Sequence, residues 1–85
     1  MYTVFEFTSK GVFPRGAIGS FSKDIGTGYK DLILKIQEAS MKHNWEGLDN
    51  IDPLLFRVED LGGNKYNLWY IFEASPAPYC YIEGV

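Results

Sequence analysis

Hydrophobic and polar residues alternate most regularly between positions 54 and 73. Two runs with the period of a half-buried strand, LLFRVEDL and KYNLWYIFE, flank the segment Gly62-Gly63-Asn64. Glycine and asparagine tolerate the positive φ angles that short hairpin loops need. The pattern therefore predicts a β-hairpin.

Loop length decides the register of this hairpin. A two-residue loop of Gly62 and Gly63 mixes apolar and charged side chains on both faces, whereas a three-residue loop that includes Asn64 separates them. Because a slip of one residue would move a strand's apolar side chains to the solvent side, we expect the three-residue loop. The core-facing residues are then Leu54, Phe56, Val58, Tyr66, Leu68, Tyr70 and Phe72.

The other face of the hairpin is mixed in character. It carries Leu55, Arg57, Glu59, Lys65, Asn67, Trp69, Ile71 and Glu73. Arg57 lies opposite Trp69 in this register, which allows a cation–π contact. A tryptophan among charges on a solvated face is typical of an interaction hot spot, so we predict that a protein partner contacts Trp69, Arg57, Glu59, Asn67 and Glu73. The alternative is that Trp69 packs beneath the N-terminal strand or a loop.

One segment has the apolar spacing of an amphipathic helix, from Tyr29 to His43. Its apolar face comprises Tyr29, Leu32, Ile33, Ile36, Ala39, Ser40 and His43. We expect Thr27 or Gly28 to cap its N-terminus. Leu34 and Met41 project to one flank, where either a loop covers them or a second subunit contacts them.

Shorter strands complete the predicted fold. Residues 2–8 form a first strand, Val12-Phe13 a short return strand that Pro14 ends or confines to a sheet edge, and residues 79–83 a last strand. The order β(β)αβββ predicts a single α+β domain over residues 1–85. We expect an antiparallel sheet of four to five strands with the helix packed on one face.

Net charge is −3 and is unevenly spread: residues 1–45 carry six basic and four acidic side chains, and residues 46–85 carry two basic and seven acidic. The absence of a Lys/Arg cluster argues against direct nucleic-acid binding. The acidic half suits a basic patch on a protein. Glu46, Asp49 and Asp52 recur every third residue in a turn-rich loop, and we add them to the predicted partner-binding residues. They lack the spacing of a calcium loop, so we predict no metal site.

A single cysteine, Cys80, excludes an internal disulfide and favours a reducing compartment. The longest apolar runs are only a few residues, too short to span a membrane. The first residues, MYTVFEF, read as a strand rather than as a secretory signal. We therefore expect a cytoplasmic protein with no membrane segment.

Residues 14–28 contain four glycines ahead of the predicted helix. Backbone N–H groups of such a segment, with the helix dipole, can hold an anion. Lys23, Thr27, Gly28 and Lys30 would then surround it, although the spacing matches neither GxxxxGK[ST] nor GxGxxG. The alternative is a flexible loop.

No catalytic grouping or cofactor motif is found in the sequence. We therefore expect a small, acidic, non-enzymatic module that docks on a larger macromolecular partner to inhibit or regulate it, by analogy with phage inhibitors of host machinery. One alternative is an assembly subunit or homodimer, joined through a strand edge or the Leu34/Met41 flank. The other is a binder of a small anionic ligand that uses the glycine-rich segment.

Overall fold

The structure is a computed structural model and describes residues 1–22, 29–48, 51–72 and 76–84. The elements found in these ranges are β1 (Tyr2–Thr8), β2 (Gly11–Ile18), α1 (Lys30–His43), β3 (Phe56–Gly62), β4 (Lys65–Tyr70) and β5 (Cys80–Gly84).

The strands form one five-stranded antiparallel sheet in the order β2-β1-β5-β4-β3. The last strand of the chain, β5, therefore lies between β1 and β4, and β2 and β3 are the edges. Helix α1 packs on one face, where its apolar stripe meets the alternate residues of the strands. The predicted α+β fold and its element order are confirmed.

The β3–β4 hairpin has the register that separates apolar from charged residues. Phe56 lies opposite Tyr70, and Arg57 lies opposite Trp69. The register is as predicted because only this pairing puts the apolar side chains of both strands on the core side.

The turn of the hairpin differs from the predicted three-residue loop. Gly62 pairs with Lys65, so only Gly63 and Asn64 form the turn, both with φ of 61°. Two successive positive φ angles are the geometry of a tight turn that matches the twist of the strands. A bulge between Asp60 and Gly62 absorbs the extra residue, which keeps the strands in the expected register.

Strand β2 is longer than the expected return strand and includes the first residues of the predicted glycine-rich loop. It runs past Pro14 to Ile18, with a register shift opposite Val4 and Phe5. Proline is tolerated there because β2 is an edge strand, whose outer side needs no ladder hydrogen bond. Pairing with β1, rather than local propensity, extends the strand.

Helix α1 begins one residue later than predicted. Tyr29 is its N-cap, in a left-handed conformation with φ of 62° and without a side-chain capping bond, so the predicted cap at Thr27 or Gly28 is wrong. Asn44, also left-handed, ends the helix by donating its N–H to the Ser40 carbonyl. The buried residues of the helix all belong to the predicted stripe: Leu32, Ile33, Ile36 and Ser40.

One hydrophobic core lies between the helix and the sheet. Its buried residues are Val4, Ile18, Leu32, Ile33, Ile36, Trp45, Leu48, Ile51, Tyr66, Leu68, Cys80 and Ile82. Phe56 and Val58 pack against it as predicted. Leu54 and Phe72, also predicted to face the core, are 82% and 71% exposed. The prediction is wrong for these two residues because both lie outside the strands: β3 begins at Phe56 and β4 ends at Tyr70, so the alternation of a strand does not extend to them.

Candidate functional site

The face of the sheet opposite the core carries no fully buried residue among those described, and we call it the open face. Cross-strand pairing arranges its side chains in three rows. The rows are Ala17, Thr3, Glu83 and Lys65; Pro14, Phe5, Tyr81, Asn67 and Glu59; and Val12, Phe7, Trp69 and Arg57. All of these residues are half-buried or exposed, whereas buried residues alternate with them along β1, β4 and β5: Val4, Glu6, Tyr66, Leu68, Cys80 and Ile82.

Four of the predicted partner-binding residues meet at one end of the open face. The Trp69 indole Nε1–H donates to Glu59 Oε1 at 2.9 Å, and the Asn67 Nδ2–H donates to the same oxygen at 3.2 Å. The Arg57 guanidinium carbon lies 5.4 Å from the centre of the Trp69 ring, the expected cation–π contact. Strands β3 and β4 hold these four side chains side by side because their register pairs Arg57 with Trp69 and Glu59 with Asn67.

The carboxylate at the centre of this cluster is held in its charged form. The hydrogen bond from Trp69, and after it the bond from Asn67, lowers the pKa of Glu59 below its ordinary value of 4.5. Desolvation opposes these two hydrogen bonds, and the positive charge of Arg57, the smallest of the four causes, acts in the same direction as the hydrogen bonds. The cluster therefore presents an ionised carboxylate and a guanidinium beside an aromatic ring.

The aromatic surface continues beyond this cluster across a cleft. Between Phe7 and Trp69 the third row is interrupted, because β5 begins only at Cys80. Tyr79 joins the two strands there: its carbonyl accepts from the Phe7 N–H, and its own N–H donates to the Leu68 carbonyl. The cleft has a volume of about 550 Å³ and is lined by Phe7, Trp69, Tyr70 and residues 76–78, among others. A partner's apolar side chain would find aromatic and proline surface on its walls.

The aromatic residues of β1 and β5 were not among the predicted site residues. Phe5 and Phe7 lie on the open face, and the Phe5 ring is 5.9 Å from that of Tyr81. The sequence showed that Phe5 and Phe7 point the same way, opposite to Val4 and Glu6. From hydrophobicity alone, Phe5 and Phe7 would be expected to face the core. The sequence therefore favoured the opposite orientation of β1 from the one in the structure.

The opposite face of β1 buries a charged residue instead. Glu6 is 8% exposed, and its carboxylate accepts a hydrogen bond from Arg15 Nε at 2.6 Å and forms an ion pair with the same guanidinium. Two nitrogens of the Arg15 guanidinium contact the same carboxylate oxygen, Oε1, and this ion pair offsets part of the cost of burying the carboxylate. The orientation of β1 thus places an ion pair at the margin of the core and two aromatic rings on the open face.

Two of the predicted acidic residues of the 46–52 segment, Glu46 and Asp52, are among the described residues. Glu46 is exposed and follows α1, on the helix side of the sheet. The side chain of Asp52 accepts a hydrogen bond from the Leu54 N–H at 2.9 Å, which is a local turn contact. Asp49 and Glu73 lie outside the described residues. Among the described residues, no hydrogen bond or ion pair links Glu46 or Asp52 to the Trp69 cluster.

Of the residues predicted to surround an anion, only Lys30 is among the described ones. It is the first residue of α1 and is exposed. Lys23, Thr27 and Gly28 lie outside the described residues. Close by, the Ser22 N–H donates to a carboxylate oxygen of Asp31 at 2.7 Å. Asp31 therefore supplies negative charge in the first turn of the helix.

The predicted apolar flank of the helix is only partly exposed. Leu34 is half-buried, and Met41 is 64% exposed. The two residues differ in their environment, so the flank offers one exposed apolar side chain rather than two.

Cys80 and His43 are the single cysteine and the single histidine of the chain. Cys80 is buried in the core, and burial, with the charge of Glu6 as a second cause, raises the pKa of its thiol. His43 is exposed beside the Trp45 ring, at a centroid distance of 5.8 Å. Within the described ranges, no three His, Cys, Asp or Glu residues cluster closely enough to hold a metal ion. In the same ranges, no helix is both long and apolar enough to cross a membrane.

Comparisons with known proteins identify no relative. No protein-family model matches the chain, and neither the curated proteins nor the solved structures yield a match. Function is therefore inferred from the chain's own residues.

Proposed function

We propose that this chain is a non-enzymatic module that docks on a larger protein through its open face and thereby inhibits or regulates it. The observation that carries the proposal is the orientation of β1. A carboxylate, Glu6, is buried, while Phe5 and Phe7 lie on the open face. Native sequences normally keep local pattern and tertiary burial consistent, and departures concentrate at functional sites.

The composition of the open face supports a protein as the partner. Its aromatic residues are Phe5, Phe7, Tyr81 and Trp69. Its charged residues are of both signs, Arg57 and Lys65 against Glu59 and Glu83. Phosphate backbones need a positive surface, which this balance does not supply. Aromatic centres with mixed polar edges are typical of protein interfaces.

The contacts of Trp69 support this end of the open face as the part that contributes most of the binding free energy. Trp69 is oriented by its bond to Glu59 and covered on one side by Arg57, so little side-chain freedom would be lost on binding. Tryptophan and arginine are the residues enriched in hot spots. The adjoining cleft, beside Phe7, is suited to an apolar side chain of the partner.

Two further features support the non-enzymatic part of the proposal and a cytoplasmic location. The only thiol, Cys80, is buried and its pKa is raised, which keeps it protonated and unreactive near neutral pH. A free thiol in so small a chain suits a reducing compartment.

The test is affinity capture from the native host, followed by measurement of the dissociation constant for the captured protein. Trp69→Thr retains strand propensity and should weaken binding about tenfold or more, because hot-spot truncation costs about 2 kcal/mol. Met41→Ala removes an exposed apolar side chain on the helix side and should leave binding within about twofold. Equal binding by wild type and the Trp69 variant, or loss of binding in the Met41 variant, would contradict the proposal. Circular dichroism should confirm that both variants are folded.

A further inference from the structure

The cleft beside Trp69 has uncharged walls, which restricts what can enter it. Four of its described lining residues are aromatic, two are prolines, and none is acidic or basic: Phe7, Thr8, Ser9, Trp69, Tyr70, Pro76, Ala77, Pro78 and Tyr79. Its volume of about 550 Å³ lies in the range of clefts that hold small ligands. The cleft therefore has room for one large apolar side chain.

Arg57 lies on the far side of Trp69 from this cleft. The strand order places the cleft between β1 and β4 and places Arg57 on β3. Arg57 is exposed, and its guanidinium contacts the Trp69 ring without forming a hydrogen bond or an ion pair to any described residue. A guanidinium has five N–H donors in a planar fork that matches a carboxylate. Arg57 can therefore bind a carboxylate without giving up a bond that it already makes.

A second cation adjoins the cleft from β1. Lys10 is exposed and directly follows Ser9, one of the lining residues. Its backbone N–H donates to Thr8 Oγ1 at 3.2 Å. Within the described ranges, no carboxylate lies within ion-pair distance of its ammonium group. The charge of Lys10 is thus also uncompensated by direct contact.

The carboxylates near the cleft already have partners. Glu59 Oε1 accepts hydrogen bonds from Trp69 and Asn67. Glu6, the neighbour of Phe7, is buried on the other face and pairs with Arg15. The charge on the described surroundings of the cleft therefore favours an anion. At physiological ionic strength the Debye length is about 8 Å, so these neighbouring groups affect a contact here more than the net charge of −3 does.

We propose that the partner presents a short extended segment to the open face, with a large apolar side chain in the cleft and a nearby acidic side chain on Arg57. This inference rests on the proposed function, docking through the open face. The apolar side chain would pack between Phe7 and Trp69. The carboxylate of the acidic side chain would accept two parallel N–H bonds from the guanidinium.

The spacing of the strands sets the separation of these two side chains. Adjacent strands are about 4.8 Å apart, so about 10 Å separates β3 from the position between β1 and β4. In an extended segment, side chains two residues apart point the same way and are about 7 Å apart. The length of the acidic side chain covers the remaining distance. We therefore expect the acidic residue two positions before or after the apolar one.

A library of random 12-residue peptides, displayed on phage with their C-termini fused to the coat protein, tests the proposal. Peptides that bind the full wild-type chain but not Trp69→Thr are selected. Each is then synthesised with blocked ends, and its Kd is measured by fluorescence anisotropy. The selected peptides should share an Asp or Glu two positions from a large apolar residue.

A double-mutant cycle isolates the contact with Arg57. Arg57→Gln should weaken binding of a selected peptide about tenfold or more, because a charged hydrogen-bonded pair is lost. Replacing the acid of the peptide by its amide should weaken binding to the wild type similarly, but binding to Arg57→Gln by about twofold or less. Arg57→Lys keeps the charge without the planar fork and should have an intermediate effect. Lys42→Gln makes the same change of charge on the exposed surface of α1 and should leave the Kd within about twofold.

Three results would overturn the proposal. The first is selection of peptides with Lys or Arg in place of the acid, which would make Glu59 the contact. The second is an amide substitution in the peptide that weakens binding equally to the wild type and to Arg57→Gln. The third is the absence of any selected peptide, which would exclude a short linear segment but not a folded partner on the open face. The proposed function is contradicted by a different result, equal binding of the captured host protein by the wild type and Trp69→Thr.

Discussion

Glu6 and Arg15 form the least expected contact of the molecule. Their guanidinium–carboxylate pair lies at the margin of the core, with Glu6 beside the buried Cys80. A carboxylate taken out of water needs a charged, well-oriented partner, and removing that partner would leave an uncompensated charge. Nothing in the local pattern YTVFEF identifies Glu6 as the buried residue, because Arg15 reaches it only after β2 folds back on β1.

The hydrogen bond between Trp69 and Glu59 can be tested by its effect on the pKa of Glu59. Replacing Trp69 with phenylalanine removes the hydrogen bond that is the largest cause of the lowered pKa of Glu59, and that pKa should rise toward 4.5. NMR titration of the Glu59 carboxyl measures the change. Asn67→Ala removes the second cause and should raise the pKa by less; a larger rise in that variant would contradict the assignment.

The same contact sets the sign of a pH effect on stability. Because the pKa of Glu59 is lower in the folded state than the ordinary 4.5, its contribution is fully present above that value. The contribution is lost as the pH falls through the folded-state pKa. In the Trp69→Phe variant, the free energy of unfolding should therefore depend less on pH in this acidic range than in the wild type.

Gly16 in β2 and Trp45, which follows α1, pack closely because glycine has no side chain. The Trp45 ring lies so close to Gly16 that an added Cβ would be 2.6 Å from Trp45 Cζ2. Trp45 is 8% exposed, so it completes the core over the edge of the sheet. The absence of a side chain at Gly16 allows the helix layer and the edge strand to approach.

Gly16→Ala should therefore destabilise the protein, whereas Gly19→Ala should not. The first change forces the buried indole to move and should cost about 1–3 kcal/mol, the range for overpacking a core. The second adds a Cβ with no atom within 4 Å and should change stability by about 0.5 kcal/mol or less. Urea unfolding of both variants measures the difference. Similar losses at the two positions would mean that Trp45 does not pack on Gly16.

The elements differ in how far local sequence predicts them. The β3–β4 register followed from two-residue periodicity, since only one register separates the two kinds of side chain. The helix stripe followed in the same way from its spacing. The turn and β2 did not, because a bulge at Gly62 and the pairing of β2 with β1 depend on the backbone of neighbouring strands.

The whole sheet is two-sided: one face packs on α1, and the other is the open face. This arrangement follows from the strand order, which places β5 between β1 and β4 and so brings Tyr81 between Phe5 and Asn67. The aromatic surface is thus assembled from strands far apart in the chain. Antiparallel sheets commonly leave one face solvated, but that face is usually polar.

Two identical substitutions on neighbouring strands test this two-sidedness. Val4→Thr introduces a hydroxyl at a fully buried position and should cost about 1–3 kcal/mol. Val12→Thr makes the same change on the open face, where the side chain is 52% exposed, and should cost about 0.5 kcal/mol or less. Thermal or chemical unfolding of both variants measures the two changes in stability. An equal cost at both positions would mean that the open face is covered.

The amino-acid sequence by itself determined the helix, the hairpin and its register, and the group of Arg57, Glu59, Asn67 and Trp69, because periodicity and turn chemistry act over a few neighbouring residues. Tertiary structure alone decided which face of β1 is buried, since Arg15 compensates Glu6 only after the chain has folded back. Tertiary structure also placed the aromatic residues of β1 on the same face as the Trp69 cluster, because β5 lies between β1 and β4 in the sheet. Long-range pairing therefore decides which face of β1 is buried, even where the local pattern favours the opposite face.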